Sequence, residues 1–110
     1  MDQTIKIISM NLTNEFEPIR EWATERGLIQ KGDAKTQYIK LQEECGELAQ
    51  AILKAKEDEF IDAIGDCVVV LTNLAAIKGI KIEDCINSAY EEIKNRKGTM
   101  VAGTFVKNAS

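Results

Sequence analysis

FIDAIGDCVVVLTNLAAI, residues 60–77, is the most apolar stretch of the 110-residue chain. At about 100° per residue, Ile64, Cys67, Val68, Val70, Leu71, Leu74, Ala75 and Ile77 cover most of a helical circumference. A helix apolar nearly all round is a buried one. On the same wheel Asp62, Asp66 and Asn73 share one stripe about 40° wide, interrupted by Val69. Two carboxylates and an amide inside an assembly are costly unless something compensates them.

The flanking segments also repeat at helical spacing. One helix is expected from about Thr36 to Lys56, with Leu41, Cys45, Leu48 and Ile52 on one face. Another runs from Ile82 to about Arg96 and carries Ile82, Ile86, Ala89, Tyr90 and Ile93 inward. Near the start, Phe16, Ile19, Trp22 and Ala23 mark a helix from Asn14 to Arg26. Pro18 is tolerable there only in the first turn. Gly27 offers a stop, Gly32 and Asp33 a loop, Lys54 to Glu59 a charged connection, and Gly79 and Gly98 further ends. Met1 to Leu12 alternates weakly and reads as a short strand or a loose arm, and residues 97–110 as an extended or mobile tail. The expected architecture is all-α: one domain over residues 1–110, a bundle of about four helices with its core at about 14–96.

Hydrophobic residues make up 45% of the chain, a large share for so small a domain. Several copies would bury that surface more easily, so a homo-oligomer is expected, a homodimer or homotetramer. The net charge of −4, from 18 acidic and 14 basic residues, argues against a protein that coats nucleic acid. Histidine is absent, which excludes His-based catalysis and the usual zinc sites. Cys45, Cys67 and Cys85 form no Cys-x-x-Cys pair and read as reduced, mostly buried thiols of a cytoplasmic protein. No uninterrupted apolar run approaches the roughly 18 residues of a membrane span, and no basic leader with an apolar core opens the chain. Neither a membrane nor a secretion route is expected.

The Thr36 to Lys56 helix carries a second acidic set. Glu43 and Glu47 stand four apart and Glu44 and Glu47 three apart, so they share a face, with Glu44 at the border of the apolar arc. Like charges this close raise each other's pKa unless a cation sits among them. Carboxylates without imidazole or thiolate suit hard cations, Mg²⁺ or Mn²⁺. Each group has a plainer reading as well. The glutamates can be a solvated face, Asp62 a first-turn acid favoured by the helix dipole, and Asn73 a hydrogen-bonding link across the bundle. Asp66, short and mid-helix among apolar residues, is the hardest to dismiss.

Lys40-Leu41-Gln42-Glu43-Glu44-Cys45-Gly46-Glu47-Leu48-Ala49 resembles the Glu-Glu-x-x-Glu signature of MazG-like pyrophosphohydrolases, compact bacterial and bacteriophage members included. The run from Ile64-Gly65-Asp66 to Asn73-Leu74-Ala75 resembles the family's second signature, which reads Glu-x-x-Asp and continues to an Asn-Leu-Ala. The likeness covers roughly residues 36–96. One position departs: with Asp66 as the family's aspartate, Ala63 stands where the glutamate belongs. Asp62, four residues before Asp66, can face the same metal, and Glu59 is the reserve.

The resemblance implies an all-α enzyme whose acids hold magnesium, and through it the phosphates of a nucleoside triphosphate. Water attacks the α-phosphorus and releases nucleoside monophosphate and pyrophosphate. It implies Glu44, Glu47 and Asp66 as ligands, Asp62 in place of the fourth, and Glu43 as the group that orients or deprotonates water. Lys54, Lys94, Arg96 and Lys97 are candidates for the outer phosphate oxygens, although Lys94, Arg96 and Lys97 also suit a helix C-terminus without any function. Trp22 is a candidate to stack on the base, and Asn73 to bind substrate. Two rival readings remain at this level: a phosphoribosyl-ATP pyrophosphohydrolase, and a catalytically weak helical module that binds nucleotide or protein.

Overall fold

In a computed structural model, residues 15–109 are described. They form five helices and a hairpin: α1 (Phe16–Glu25), α2 (Leu28–Lys31), α3 (Ala34–Leu53), α4 (Glu57–Ile77), α5 (Ile82–Ile93), β1 (Gly98–Val101) and β2 (Thr104–Lys107). The segment Met1 to Leu12 lies outside the described residues. The helical body agrees with an all-α fold, with α2 as a single added turn between Gly27 and Gly32.

Local chemistry sets the boundaries. Pro18 falls in the first turn of α1, where its missing N–H costs nothing. Asp33 caps α3: its Oδ1 accepts from the Thr36 backbone N–H and its Oδ2 from the Thr36 hydroxyl, both at 2.9 Å. At the other end of α3 the Lys56 N–H donates to Ala51 O and the Ala55 N–H to Ile52 O. That is a Schellman closure with Ala55 at φ 53, where glycine is the usual occupant. The end of α4 closes the same way, with Ile80 N–H on Ala75 O and Gly79 at φ 75. α4 starts at Glu57, earlier than the expected Phe60. Glu57, Asp58 and Glu59 are its first-turn acids, favoured by the helix dipole.

Because only Lys54 to Lys56 join them, α3 and α4 pack as an antiparallel pair, the most extensive contact in the body. α1 and α2 lie on α4, and α5 touches it lightly. Arg20 ties α1 to α5 through a two-pronged pair with Glu83, at 2.5 and 2.6 Å. The buried apolar residues are mainly small: Ala23, Ala51, Ala63, Val70 and Ala75. So small a core leaves many large side chains uncovered.

Three expectations are corrected here. α5 buries none of its residues, and Ile86, Tyr90 and Ile93 face outward because, among the described residues, that helix touches α4 only lightly. Cys45 and Cys85 are exposed and Cys67 half-buried, so the free thiols are not core residues. Part of the tail is ordered: β1 and β2 pair antiparallel with Met100 opposite Phe105. Their two-residue turn has Ala102 at φ 50 and Gly103 at φ 85, the signs a type I′ turn requires. In addition, α4 is long and apolar enough to cross a membrane by length and composition. Its packing on α3 and α1, and Asp62 and Asp66 along it, equally fit the core helix of a helical assembly.

Candidate metal centre

The seam between α3 and α4 gathers the acids. Glu44 and Glu47 from α3 and Asp66 from α4 each offer a carboxylate oxygen, all within 4.8 Å of one another. Glu44 is only 8% exposed, and its Oε2 has no hydrogen-bond partner among the described residues. Its other oxygen lies 3.5 Å from Lys40 Nζ. An unpartnered, buried carboxylate oxygen beside two further carboxylates is a standing cost that a cation would offset. The Asp66 carboxyl is pushed above the usual carboxylate range by burial first, then by the charges of Asp62 and Glu44. These three acids could hold a metal ion, and their all-oxygen donor set suits a hard one.

From this triad a cleft of about 330 Å³ runs along the seam toward the α3–α4 turn. α3 lines it with Glu47, Gln50 and Lys54, spaced three and four apart; α4 lines it with Glu59, Asp62, Ala63 and Asp66 in the same rhythm. The Schellman turn adds Lys56 at its mouth. Ala63, 4% exposed, forms part of the wall between Asp62 and Asp66. Asp62 bears directly on the Asp66 carboxyl, while Glu59 lies 3.9 Å from Lys56.

Asp66 also borders a second hollow, of about 470 Å³, walled by Pro18, Ile19, Trp22 and Val69. Trp22 is 46% exposed and carries the Arg26 guanidinium 4.5 Å above its ring.

Of the sequence candidates, Glu47, Asp62, Asp66 and Lys54 line the cleft, Glu44 joins Glu47 and Asp66 in the triad, and Trp22 shares the second hollow with Asp66. Glu43 does not line the cleft; its carboxylate is mostly exposed, 3.6 Å from Lys40. Asn73, 2% exposed with its Oδ1 unpartnered among the described residues, lies farther along α4 and outside the cleft lining. Lys94 pairs with Glu91 at 2.5 Å, and Arg96 and Lys97 lead into the hairpin; none of these lines the cleft. Sequence reasoning missed Gln50 and Lys56, although Gln50 follows Glu47 by three residues on the same face.

The profile of the MazG nucleotide pyrophosphohydrolase domain matches residues 33–101, which include the triad and the cleft. The chain belongs to the MazG family. It is also 40% identical, over 83 residues, to an uncharacterised 18.2 kDa protein from the rep–hol intergenic region of Haemophilus phage HP1. The match takes in 76% of this chain and 47% of that protein, so the chain spans about half the length of the relative. No solved structure gives a significant match. Membership points to a nucleotide pyrophosphohydrolase, and the triad lies within the matched residues.

Proposed function

We propose that the protein hydrolyses nucleoside or deoxynucleoside triphosphates to the monophosphate and pyrophosphate, using Mg²⁺ or Mn²⁺. The observation that carries this reading is the position of Asp66. It belongs at once to an acidic cleft with lysines at its mouth and to a hollow walled by an aromatic ring. A nucleoside triphosphate has the same two ends, a charged chain and a flat base, joined near the phosphorus to be attacked.

Glu44, Glu47 and Asp66 hold the cation, and Asp62 is the fourth acid at the edge of the cleft. The ion supplies neutralisation of the phosphate charge and acidification of water. Lys54 and Lys56 meet the outer phosphate oxygens, and Trp22 stacks on the base. Water attacks the α-phosphorus, the α–β phosphoanhydride bond breaks, and pyrophosphate departs. Glu43, on the exposed side of α3, is assigned no contact with that water in the single chain. The working form is a homodimer or homotetramer in the cytoplasm, with no nucleic acid or membrane as partner, adjusting or cleaning the nucleotide pool.

Trp22 is the chain's one tryptophan, which makes the reading testable by fluorescence. A non-hydrolysable triphosphate added with Mg²⁺ is expected to quench it, and chelator to reverse the quench. Bound triphosphate with unchanged emission, or a Trp22→Ala variant with unchanged affinity and substrate preference, would overturn the stacking role.

A further inference from the structure

The β1–β2 hairpin is ordered but uncovered. Its substantial contacts are between its own two strands. A two-stranded ribbon is at best marginally stable alone in water. Yet it carries apolar side chains on both faces. Met100 and Phe105 lie opposite each other on one face, 66% and 47% exposed, and Val101 and Val106 lie on the other. Phe105 is folded over Gly98, where an added Cβ would come within 2.7 Å of its Cζ. Among the described residues, the ribbon is therefore a shaped surface with no other element packed substantially against it.

Two further observations indicate what covers it. From Lys94 to the last residue there is no acid, only Lys94, Arg96, Lys97 and Lys107. The chain's net −4 therefore divides into +4 for this segment and −8 for the remainder. The helical body, in turn, exposes an apolar stripe on α4 made by Ile61, Ile64 and Leu71. Gly65 lies within that stretch with open space where a Cβ would stand. A mid-helix glycine costs about 1 kcal/mol relative to alanine, and no packing among the described residues requires this one. Glu57, Asp58 and Asp62 stand at the N-terminal end of the same helix. Apolar surface with basic flanks on the hairpin thus matches apolar surface with acidic flanks on α4.

We propose that the hairpin is a docking arm for a second copy of this chain. Its apolar side chains seat on that copy's α4 stripe, and its basic residues meet that copy's Glu57 and Asp58. The arm then lies beside the other copy's acidic cleft, whose edge includes Glu59 and Asp62. Arg96 and Lys97, which do not line the cleft of their own chain, become cations at the cleft of the partner. An anionic membrane is the less favoured occupant, since the −8 body would be repelled by it.

The test reads mass rather than turnover, so its failure is separate from failure of the proposed hydrolysis. Sedimentation of the full chain is expected to show a dimer or larger. Met100→Ser with Phe105→Ser weakens association by about tenfold or more for each side chain, with helical circular dichroism retained. Lys97→Glu with Lys107→Glu, and separately Glu57→Lys with Asp58→Lys, each weaken association. Mixing those two charge-reversed chains restores it, because every reversed arm can then meet a reversed face. A monomeric wild type, undiminished association in the variants, or failure of the mixture to associate overturns the proposal. So does a monomer that binds phosphatidylserine vesicles through the same hairpin side chains.

Discussion

The Arg20–Glu83 pair joins the helix that carries Trp22 to the helix that leads into the hairpin, and its strength can be worked out. Arg20 Nη1 donates to Glu83 Oε1 at 2.5 Å and Nη2 to Glu83 Oε2 at 2.6 Å, and Nη2 also meets Glu17 Oε2 at 2.6 Å. The Arg20 guanidinium holds the Glu83 carboxyl down to about 2 from its ordinary 4.5. At 1.36 kcal/mol per tenfold, that difference sets a ceiling of about 3 kcal/mol. Arg20 and Glu83 side chains are 13% and 31% exposed, and Glu17 retains part of the interaction when Glu83 is lost. Solvent screening therefore reduces the expected loss in Glu83→Gln to about 1–2 kcal/mol. The pKa is depressed on folding, so the stabilisation is full above about 4.5 and disappears as pH falls through about 2. Urea unfolding of wild type and variant should show the full gap at pH 7 and a closing gap across that window. A gap that is absent at pH 7, or unchanged in acid, would refute the reasoning.

Ala55 occupies a left-handed position at φ 53, so Ala55→Gly should raise stability by about 0.5–1 kcal/mol, read as an increase in Tm. Asp66→Asn removes a carboxyl whose charging is opposed by burial, Asp62 and Glu44, so the metal-free variant should unfold no more easily than wild type. Its response to Mg²⁺ should nonetheless vanish, whereas wild type at a hundred times its Kd gains about 2.7 kcal/mol in chemical denaturation. Gly98→Ala places a Cβ within 2.7 Å of the Phe105 ring, so amide exchange in β1 and β2 should accelerate while α3 and α4 stay protected.

Much of the centre was legible because it depends on spacing within helices. The stripe of Asp62 and Asp66, and Glu44 at the edge of an apolar arc, are consequences of 3.6 residues per turn. The α3–α4 seam brings Glu44, Glu47 and Asp66 together, as the signature spacing implied. What periodicity could not supply was the partner of each face. Ile86, Tyr90 and Ile93 form an apolar stripe whether they face the same chain or another one, so their outward position was not readable. The exposure of Cys45 and Cys85 has the same origin. Lys56 reaches the cleft through a turn geometry usually signalled by glycine, and alanine at position 55 hid it. The hairpin was overlooked because Ala102-Gly103 is a weaker turn signal than Asn-Gly, and its strands are only four residues each.

The most direct test is pyrophosphate release from a panel of ribo- and deoxynucleoside triphosphates and phosphoribosyl-ATP, with Mg²⁺ and with chelator. Wild type would be compared with Asp66→Asn and Glu44→Gln, each first shown to be folded. The account predicts metal-dependent release from at least one nucleoside triphosphate, abolished in both variants. Release that persists in chelator or in both variants, or none from a folded, metal-binding wild type, would contradict it.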